Sequence, residues 1–162
     1  MGLGKVLIGE IIVATISEIL NKAAKRGREM NLPYGGALLP GEADELMRKA
    51  PGAKLVDVRT QAEWDYVGRI PGSVQIEWQT YPGSRPNPNF LNELQAQTDK
   101  QAVVMFLCRS GARSHAAAAA AAQAGYSQSY NVLQGFEGDK DTSGHRNSLG
   151  GWRVAGLPWV QS

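Results

Sequence analysis

The feature that most constrains the fold is an apolar segment that leads, after a short polar loop, into a run of alanines. The segment "AVVMFLC" predicts a buried strand that ends at residue 108, and residues 113–124 predict a helix that contains the uninterrupted alanine run 116–122. Alanine is the best helix former, and its small side chain lets a helix lie close to a sheet. We therefore expect a strand–loop–helix unit of an α/β domain.

The same alternation of short apolar strands and helices extends over most of the chain. Further strands are predicted at 54–58, 73–76 and 129–133, and further helices at 40–50, 61–66 and 90–97. Strands that alternate with helices are typical of a parallel sheet covered on both faces. The predicted fold class is therefore α/β, a three-layer α/β/α domain around a central parallel sheet.

An amphipathic helix is predicted at the N-terminus, over residues 5–28, because isoleucines recur at steps of three or four from Ile8 to Ile19. Glu10 interrupts the apolar stretch and no A-x-A cleavage site follows, so we expect neither a membrane span nor a signal peptide. The apolar stripe is expected to pack on the domain, on a second copy of the chain or on a docking partner. A helix that lies on a membrane surface is the alternative.

A Pro- and Gly-rich segment, "NLPYGG", separates this helix from the rest of the chain. Such a composition is typical of a connector. We therefore predict an N-terminal helix over residues 1–30, a connector over 31–37 and one folded domain over 38–162.

Composition and charge narrow the classes of function. Of the 162 residues, 43% are hydrophobic and 20% are charged, and the formal net charge is only +2, so no nucleic-acid partner is expected. The single cysteine excludes an intrachain disulfide and favours a reducing compartment, which predicts a cytoplasmic location. His115 and His145 have no further ligands at metal-binding spacing, so no metal site is predicted.

Cys108 is followed by the loop "RSGAR", which leads into the predicted alanine helix. A lone cysteine at a strand end is most often a small buried hydrophobic residue. Two arginines and a glycine directly after it are not needed for packing, whereas inward backbone amides at a helix N-terminus and nearby guanidinium groups favour a thiolate. Gly111 suits the left-handed conformation that such a loop needs, and Arg113 can offer two donors to an oxyanion.

Four segments carry a resemblance to a known family. They are "LVDVRTQAEWDYVGRIPGSVQIEW", "VVMFLCRSGARS", "AGYSQSYNVLQGFEG" and "AGLPW", in this order and at these spacings. Together they closely resemble the single-domain rhodaneses, the thiosulfate sulfurtransferase family. The resemblance extends from Leu38 to Trp159 and implies a rhodanese-like fold, while the N-terminal helix lies outside it.

The resemblance implies an enzyme that needs no cofactor. Cys108 would attack the sulfane sulfur of a small anionic donor such as thiosulfate and keep it as a persulfide, and cyanide or a thiol would then collect the sulfur. Arg109 and Arg113 would bind the sulfonate end of the donor. The backbone amides that would hold the persulfide are those of Arg109, Ser110, Gly111, Ala112 and Arg113. Because the chain has no second cysteine, the acceptor must be an outside molecule.

Charged residues elsewhere also match the family pattern. Asp57 and Arg59 in "VDVR", with Glu63 one helical turn later, are interpreted as a structural set of charges and hydrogen bonds. Arg69 stands where many family members have histidine. It either adds positive potential at the mouth of the site or lies on the surface.

Two segments, 79–89 and 139–151, are longer than in a compact rhodanese. They are rich in glycine, proline and polar residues, and both lie near strand ends that lead towards the site. We interpret them as loops that shape the acceptor entrance, with surface decoration as the alternative.

Two other functions compete with sulfur transfer. Cysteine phosphatases use H-C-x5-R, whereas the loop from Cys108 to Arg113 is one residue shorter and Leu107 replaces the histidine, so phosphate chemistry is not predicted. The second alternative is a non-catalytic rhodanese-like module that docks on a partner, or delivers sulfur to it, through the N-terminal helix. The intact "CRSGAR" favours the enzyme.

Overall fold

The computed structural model describes residues 2–161 and the side chains of residues 7–161. In chain order, its elements are α1 (Gly2–Glu29), β1 (Gly36–Leu38), α2 (Pro40–Lys49), β2 (Lys54–Asp57), α3 (Gln61–Tyr66), β3 (Val74–Gln75), β4 (Gln79–Thr80), β5 (Arg85–Pro86), α4 (Phe90–Gln97), β6 (Val104–Leu107), α5 (Ala112–Gln123) and β7 (Ser129–Val132). Five strands form a sheet in the order β1-β7-β6-β2-β3, and all its neighbours are parallel. The predicted α/β fold, a central parallel sheet preceded by an N-terminal helix, is confirmed.

The register of the central strands brings two distant segments to one edge of the sheet. β2 pairs with β6 from Lys54 opposite Val104 to Asp57 opposite Leu107. The N–H of Val58 continues this ladder by donating to the carbonyl oxygen of Leu107 at 2.8 Å. Because the strands are parallel, the loops that follow them leave the sheet at the same edge. The residues after Asp57 therefore lie beside the residues after Leu107.

Helices cover both faces of the sheet and form the three layers that the sequence predicts. Successive side chains of a strand point to opposite faces. Phe106 belongs to the apolar cluster with α4 and α5, whereas Met105 and Leu107 belong to the cluster with α1 and α2. The alanines of α5 that are fully buried in the first cluster are Ala117, Ala118 and Ala121. The alanine run therefore serves close packing of a helix on a sheet.

The two halves of α1 differ in exposure. Ile19 and Ala23 are buried in the cluster with α2 and the sheet, whereas Leu7, Ile8 and Ile11 are each more than half exposed. Within the described residues, no helix has the length and apolar content needed to cross a bilayer. The predicted N-terminal helix is confirmed, and the partner of its exposed apolar side chains stays a prediction.

The junction of α1 with the sheet is close and requires a glycine. A Cβ on Gly36 would collide with the carbonyl group of Ala23. Arg26 joins α1 to two other elements, because it donates to the carbonyl oxygen of Ala37 at 3.0 Å and to the carboxylate of Glu42 in α2. The second half of α1 is therefore an integral part of the domain.

The structure has strands in two segments where the sequence predicts none. β1 lies at Gly36–Leu38, so the sheet takes in two residues of the segment 31–37 that was predicted as a connector. β4 and β5 form an antiparallel pair within the segment 79–89, which was predicted as a loop. Both regions are rich in glycine or proline and have no apolar alternation. Their strands depend on pairing with a neighbour more than on local pattern.

Candidate active site

Cys108 is the first residue after β6, and the chain folds back over its sulfur. It turns through Arg109, Ser110 and Gly111 before α5 begins at Ala112. Gly111 has a φ of 118°, in the left-handed region that glycine enters without steric cost. Its N–H donates to Cys108 Sγ at 3.1 Å. The glycine that was predicted for this conformation thus brings one amide to the sulfur.

A second polar group, the hydroxyl of Ser114, also contacts the sulfur. Ser114 Oγ lies 3.3 Å from Cys108 Sγ, and Ser114 is fully buried in the first turn of α5. Ser114 was not predicted as a site residue. The sequence contains an indication of this role, because Ser114 lies in the first turn of a helix that starts beside the cysteine.

Cys108 lines a cavity of about 340 Å³. Only 1% of the residue is exposed, so the sulfur is reached through this cavity. Part of the lining comes from the start of α3, and part comes from the β4–β5 hairpin, which lies in the segment predicted to shape an entrance. These residues are Thr60, Glu63, Gln79, Thr80, Tyr81 and Ser84. Thr60 was not predicted.

The cysteine loop supplies the rest of the lining, through Arg109, Ser110, Ala112 and Arg113. Within the described residues, the backbone N–H groups of Ser110, Ala112 and Arg113 donate to no other group. The first N–H groups of a helix have no intrahelical acceptor, and together with the helix dipole they attract anions. Gly111 does not line the cavity, and its N–H is used on Sγ.

Arg113 is not the free two-pronged donor that the sequence predicts. Its Nη1 and Nη2 donate to the two carboxylate oxygens of Glu63 at 2.7 and 3.0 Å. Burial lowers the pKa of the Arg113 guanidinium, but the hydrogen bonds to Glu63 and the negative charge of Glu63 raise it above its ordinary value. Glu63 lies fifty residues earlier in the chain, and only the parallel register places it beside the loop.

Glu63 both caps α3 and holds Arg113. Its side chain accepts from the N–H of Thr60 at 3.2 Å, and Thr60 Oγ1 accepts from the N–H of Glu63 at 3.2 Å. This is the reciprocal capping box. Burial raises the pKa of the Glu63 carboxyl, but the hydrogen bonds from Arg113 and Thr60 outweigh burial and hold the pKa below 4.5. These contacts agree with the structural interpretation of Glu63, which also lines the cavity over Cys108.

Arg109 is the loop arginine that remains open. It is exposed and lines the cavity. Within the described part of the chain, its guanidinium forms no ion pair or hydrogen bond. An unpaired guanidinium can bind an oxyanion with two parallel donors. Arg109, rather than Arg113, is therefore the side chain available to an anion.

Asp57 and Arg59 form an ion pair in which both side chains are fully buried. Arg59 Nη2 donates to Asp57 at 2.7 Å and to the carbonyl oxygen of Gly68 at 2.8 Å. The Arg59 guanidinium also lies 4.1 Å from the ring centroid of Phe136. Neither residue lines the cavity over Cys108. This placement agrees with the structural interpretation of the pair.

The turn after β7 packs against the cysteine loop. The N–H groups of Phe136 and Glu137 donate to the carbonyl oxygens of Cys108 and Arg109 at 2.8 and 2.9 Å. Gly135 has a φ of 62°, and a Cβ on it would lie 2.5 Å from the Cys108 carbonyl oxygen. The turn can approach this closely because residue 135 is glycine.

Arg69 lies away from the cavity over Cys108. Its Nη2 donates to Asp65 at 2.7 Å, and its backbone pairs with Val160. It is not among the lining residues. Among the side chains of residues 7–161, no three His, Cys, Asp or Glu residues lie close enough together to hold a metal ion.

Comparisons with known proteins agree with this architecture. The family model described as Rhodanese-like domain matches residues 39–142. An uncharacterized protein from Rickettsia rickettsii is 38% identical over 120 residues, which cover 73% of this chain and 91% of the relative. The crystal structure of Rv0390 from M. tuberculosis is 45% identical with a TM-score of 0.73, and the match covers 80% of this chain and 99% of that chain.

A more distant structure also spans the N-terminal helix. The solution structure of the polysulfide-sulfur transferase homodimer from Wolinella succinogenes has a TM-score of 0.55 and 20% identity, and the match covers 96% of this chain and 93% of that chain. At this identity the likeness concerns the fold alone.

Proposed function

This chain belongs to the rhodanese-like domain family, and on that premise we propose that it is a sulfurtransferase that carries sulfane sulfur on Cys108 as a persulfide. The observation that most directly supports the proposal is the cavity over Cys108. The single sulfur nucleophile of the chain forms part of its lining, and the Gly111 amide donates to that sulfur. The donor is a small anion such as thiosulfate, and the acceptor is cyanide or a thiol.

The first step transfers one sulfur atom to the protein. The Cys108 thiolate attacks the outer sulfur of thiosulfate, a new S–S bond forms, and the bond between the two thiosulfate sulfurs breaks. Sulfite leaves with the electron pair of that bond, and Cys108 keeps a persulfide anion. Ser110, Ala112 and Arg113 line the cavity, and we expect their open amides to stabilise negative charge on the bound sulfur.

The two loop arginines have different roles in this proposal. Arg109 has no partner within the described residues, so it binds the sulfonate end of the donor. Arg113 is held by both oxygens of Glu63, so it orients the loop and adds positive potential at the cavity. We assign Arg113 as a positioning residue.

The second step returns the sulfur to an outside molecule. Cyanide attacks the terminal persulfide sulfur, the S–S bond to Cys108 breaks, and its electron pair restores the thiolate while thiocyanate leaves. A thiolate acceptor reacts in the same way and leaves as a persulfide. The chain has no second cysteine that could resolve the persulfide internally.

Intact-mass measurement after incubation with thiosulfate tests the proposal. Wild type should gain one sulfur atom, cyanide should remove it, and thiocyanate should appear in equal amount. Cys108→Ser should gain none. Wild type that stays folded and unmodified, with thiosulfate or with polysulfide as donor, would contradict the proposal.

The second candidate function is docking or self-association through α1. It is favoured by the exposed apolar side chains Leu7, Ile8, Ile11 and Val13. The Wolinella neighbour, whose match covers almost all of this chain, is a homodimer. If the mass of folded wild type does not change with either donor, this role takes the place of catalysis.

A further inference from the structure

A second cavity adjoins the one over Cys108. Its volume is about 530 Å³, within the range of sites for small organic molecules. The two cavities share four lining residues, Thr60, Glu63, Tyr81 and Arg109. A molecule in the second cavity therefore lies next to the space through which the sulfur is reached.

The second cavity is less polar in its lining than the first. Ala62, Tyr66 and Val67 of α3 and the turn after it line one part, and Tyr81 of the hairpin lines another. Tyr66 is 82% exposed and Tyr81 is 71% exposed. Exposed aromatic faces of this kind bind flat or apolar groups without being needed for folding.

The charges around this cavity favour an anion. The lining carboxylate of Glu63 is held by Arg113, and that of Glu137 lies 3.8 Å from Arg153. The lining cations Arg109 and Arg146 have no carboxylate partner within the described residues. Arg146 uses Nη1 on the carbonyl oxygen of Gly138 at 2.8 Å, which leaves its other donors open.

We propose that this second cavity binds the sulfur acceptor, a thiol of low molecular mass whose apolar or aromatic body carries a carboxylate. Arg146 binds the carboxylate, and Tyr66 packs against the body. This inference rests on the proposed sulfur transfer. It goes beyond that proposal by assigning the acceptor class and Arg146, which lies in the segment 139–151.

The transfer from this site is balanced without a further reactant. The acceptor thiolate attacks the outer sulfur of the Cys108 persulfide, a new S–S bond forms, and the bond between that sulfur and Cys108 breaks. The electron pair returns to Cys108 as thiolate, and the acceptor leaves as its persulfide anion. Neither an oxidant nor a reductant is consumed.

The test uses the full chain, first loaded with thiosulfate and freed of excess donor. Sulfur loss from Cys108 is then followed by intact mass with 4-mercaptobenzoate, 2-mercaptoethanol or cyanide. Arg146→Gln should slow the reaction with 4-mercaptobenzoate about fivefold, the loss expected for one charge-assisted contact at a partly buried site. Its reactions with 2-mercaptoethanol and cyanide should be unchanged, because these molecules have no carboxylate.

Two further variants separate the roles of the site. Tyr66→Ser, at an exposed position that folding does not need, should slow only 4-mercaptobenzoate, about threefold. Arg48→Gln removes an arginine of α2 that pairs with Asp44 and lines neither cavity, and it should change none of the three rates. Equal losses with all three acceptors in Arg146→Gln, or no loss with 4-mercaptobenzoate, would overturn the inference.

A binding measurement keeps the inference separate from the proposed function. 4-(Methylthio)benzoate has no free thiol and needs no persulfide, so its binding can be followed by tyrosine chemical shifts in the unloaded protein. It should bind wild type, and Arg146→Gln should weaken binding about fivefold. If wild type gains no sulfur from thiosulfate, the proposed sulfur transfer is contradicted. If wild type gains sulfur but 4-(methylthio)benzoate binds wild type and Arg146→Gln equally, the proposed acceptor site is contradicted.

Discussion

Two regions of the molecule are held together by the same arrangement, and only one of them lies at the cavity. At the junction of α1 with α2, Arg26 donates to both carboxylate oxygens of Glu42 at 2.6 and 2.9 Å. At the cysteine loop, Arg113 donates to both oxygens of Glu63 at 2.7 and 3.0 Å. Each glutamate is the third residue of its helix and also accepts from the N-cap amide. We call these pairs the Arg26 fork and the Arg113 fork.

Each region also contains a close approach that requires glycine. Gly36 of β1 lies against the carbonyl group of Ala23 in α1, and Gly135 lies against the carbonyl group of Cys108. The two regions differ in the groups that lie next to the arginine of each fork. Arg26 also binds the carbonyl oxygen of Ala37 in the sheet, whereas Arg113 lines the cavity with the sulfur. A bidentate ion pair therefore joins segments in both places, and a nearby nucleophile is what distinguishes a candidate active site.

The largest expected effect separates the two forks by activity. Arg113→Gln should lower kcat/KM for thiosulfate about a hundredfold, because a preorganised positive group is lost beside the reacting sulfur. Arg26→Gln should leave kcat/KM within about twofold, because neither Arg26 nor Glu42 lines the cavity and no positive group beside the reacting sulfur is lost. Thiocyanate formation at several thiosulfate concentrations measures both. A comparable loss of kcat/KM in the two variants would contradict the proposed difference between the two forks.

The second prediction compares the two glycines by stability. A Cβ at residue 36 or 135 meets backbone atoms, so Gly36→Ala and Gly135→Ala should each lower the free energy of unfolding by about 2 kcal/mol. Gly135→Ala should also slow persulfide formation in the folded fraction, because Cys108 must shift. Gly41→Ala is the control, since a Cβ there meets nothing within 4 Å.

Urea unfolding of the three glycine variants gives these free energies. We expect activity per folded molecule to fall only in Gly135→Ala. An equal fall in Gly36→Ala would contradict this and show that the α1 junction is coupled to the sulfur.

The smallest expected effect concerns pH, and here the two forks should behave alike. Burial raises the pKa of Glu42 and of Glu63, but hydrogen bonds from the partner arginine and the N-cap amide outweigh burial and lower both pKa values below 4.5. A lowered carboxyl pKa in the folded protein stabilises it above the ordinary pKa, and that contribution is lost as the pH falls through the lowered value. Each fork should therefore contribute about 1 kcal/mol or less near pH 7, and this contribution is lost as the pH falls below 4.5.

The measurement is the urea midpoint of wild type, Glu42→Gln and Glu63→Gln at several pH values. Both variants should lose less stability on acidification than wild type, and by similar amounts. A pH response in only one variant would mean that one carboxylate is paired differently in solution.

The sequence predicts most accurately those helices and strands that form because of their own local pattern of apolar and polar residues. The helix predicted at 90–97 is α4 (Phe90–Gln97), and the strand predicted at 102–108 is β6 (Val104–Leu107). β1 was missed because three residues of a glycine-rich segment become a strand only by pairing with β7. The segment 79–89 was correctly singled out near the site, but its hairpin was not predicted. Two-residue strands carry too little pattern.

The same distinction between local pattern and long-range contacts applies to the candidate site. By itself, the sequence determined that one sulfur follows a buried strand, that Gly111 can turn the loop, and that the alanine helix starts beside the sulfur, because these are relations between neighbours in the chain. Only the tertiary structure decided that Arg113 binds Glu63 while Arg109 stays open, and that α3, the hairpin and Arg146 line adjoining cavities. The choice of partner for a charge depends on distances between segments far apart in sequence, and local propensity does not encode those distances.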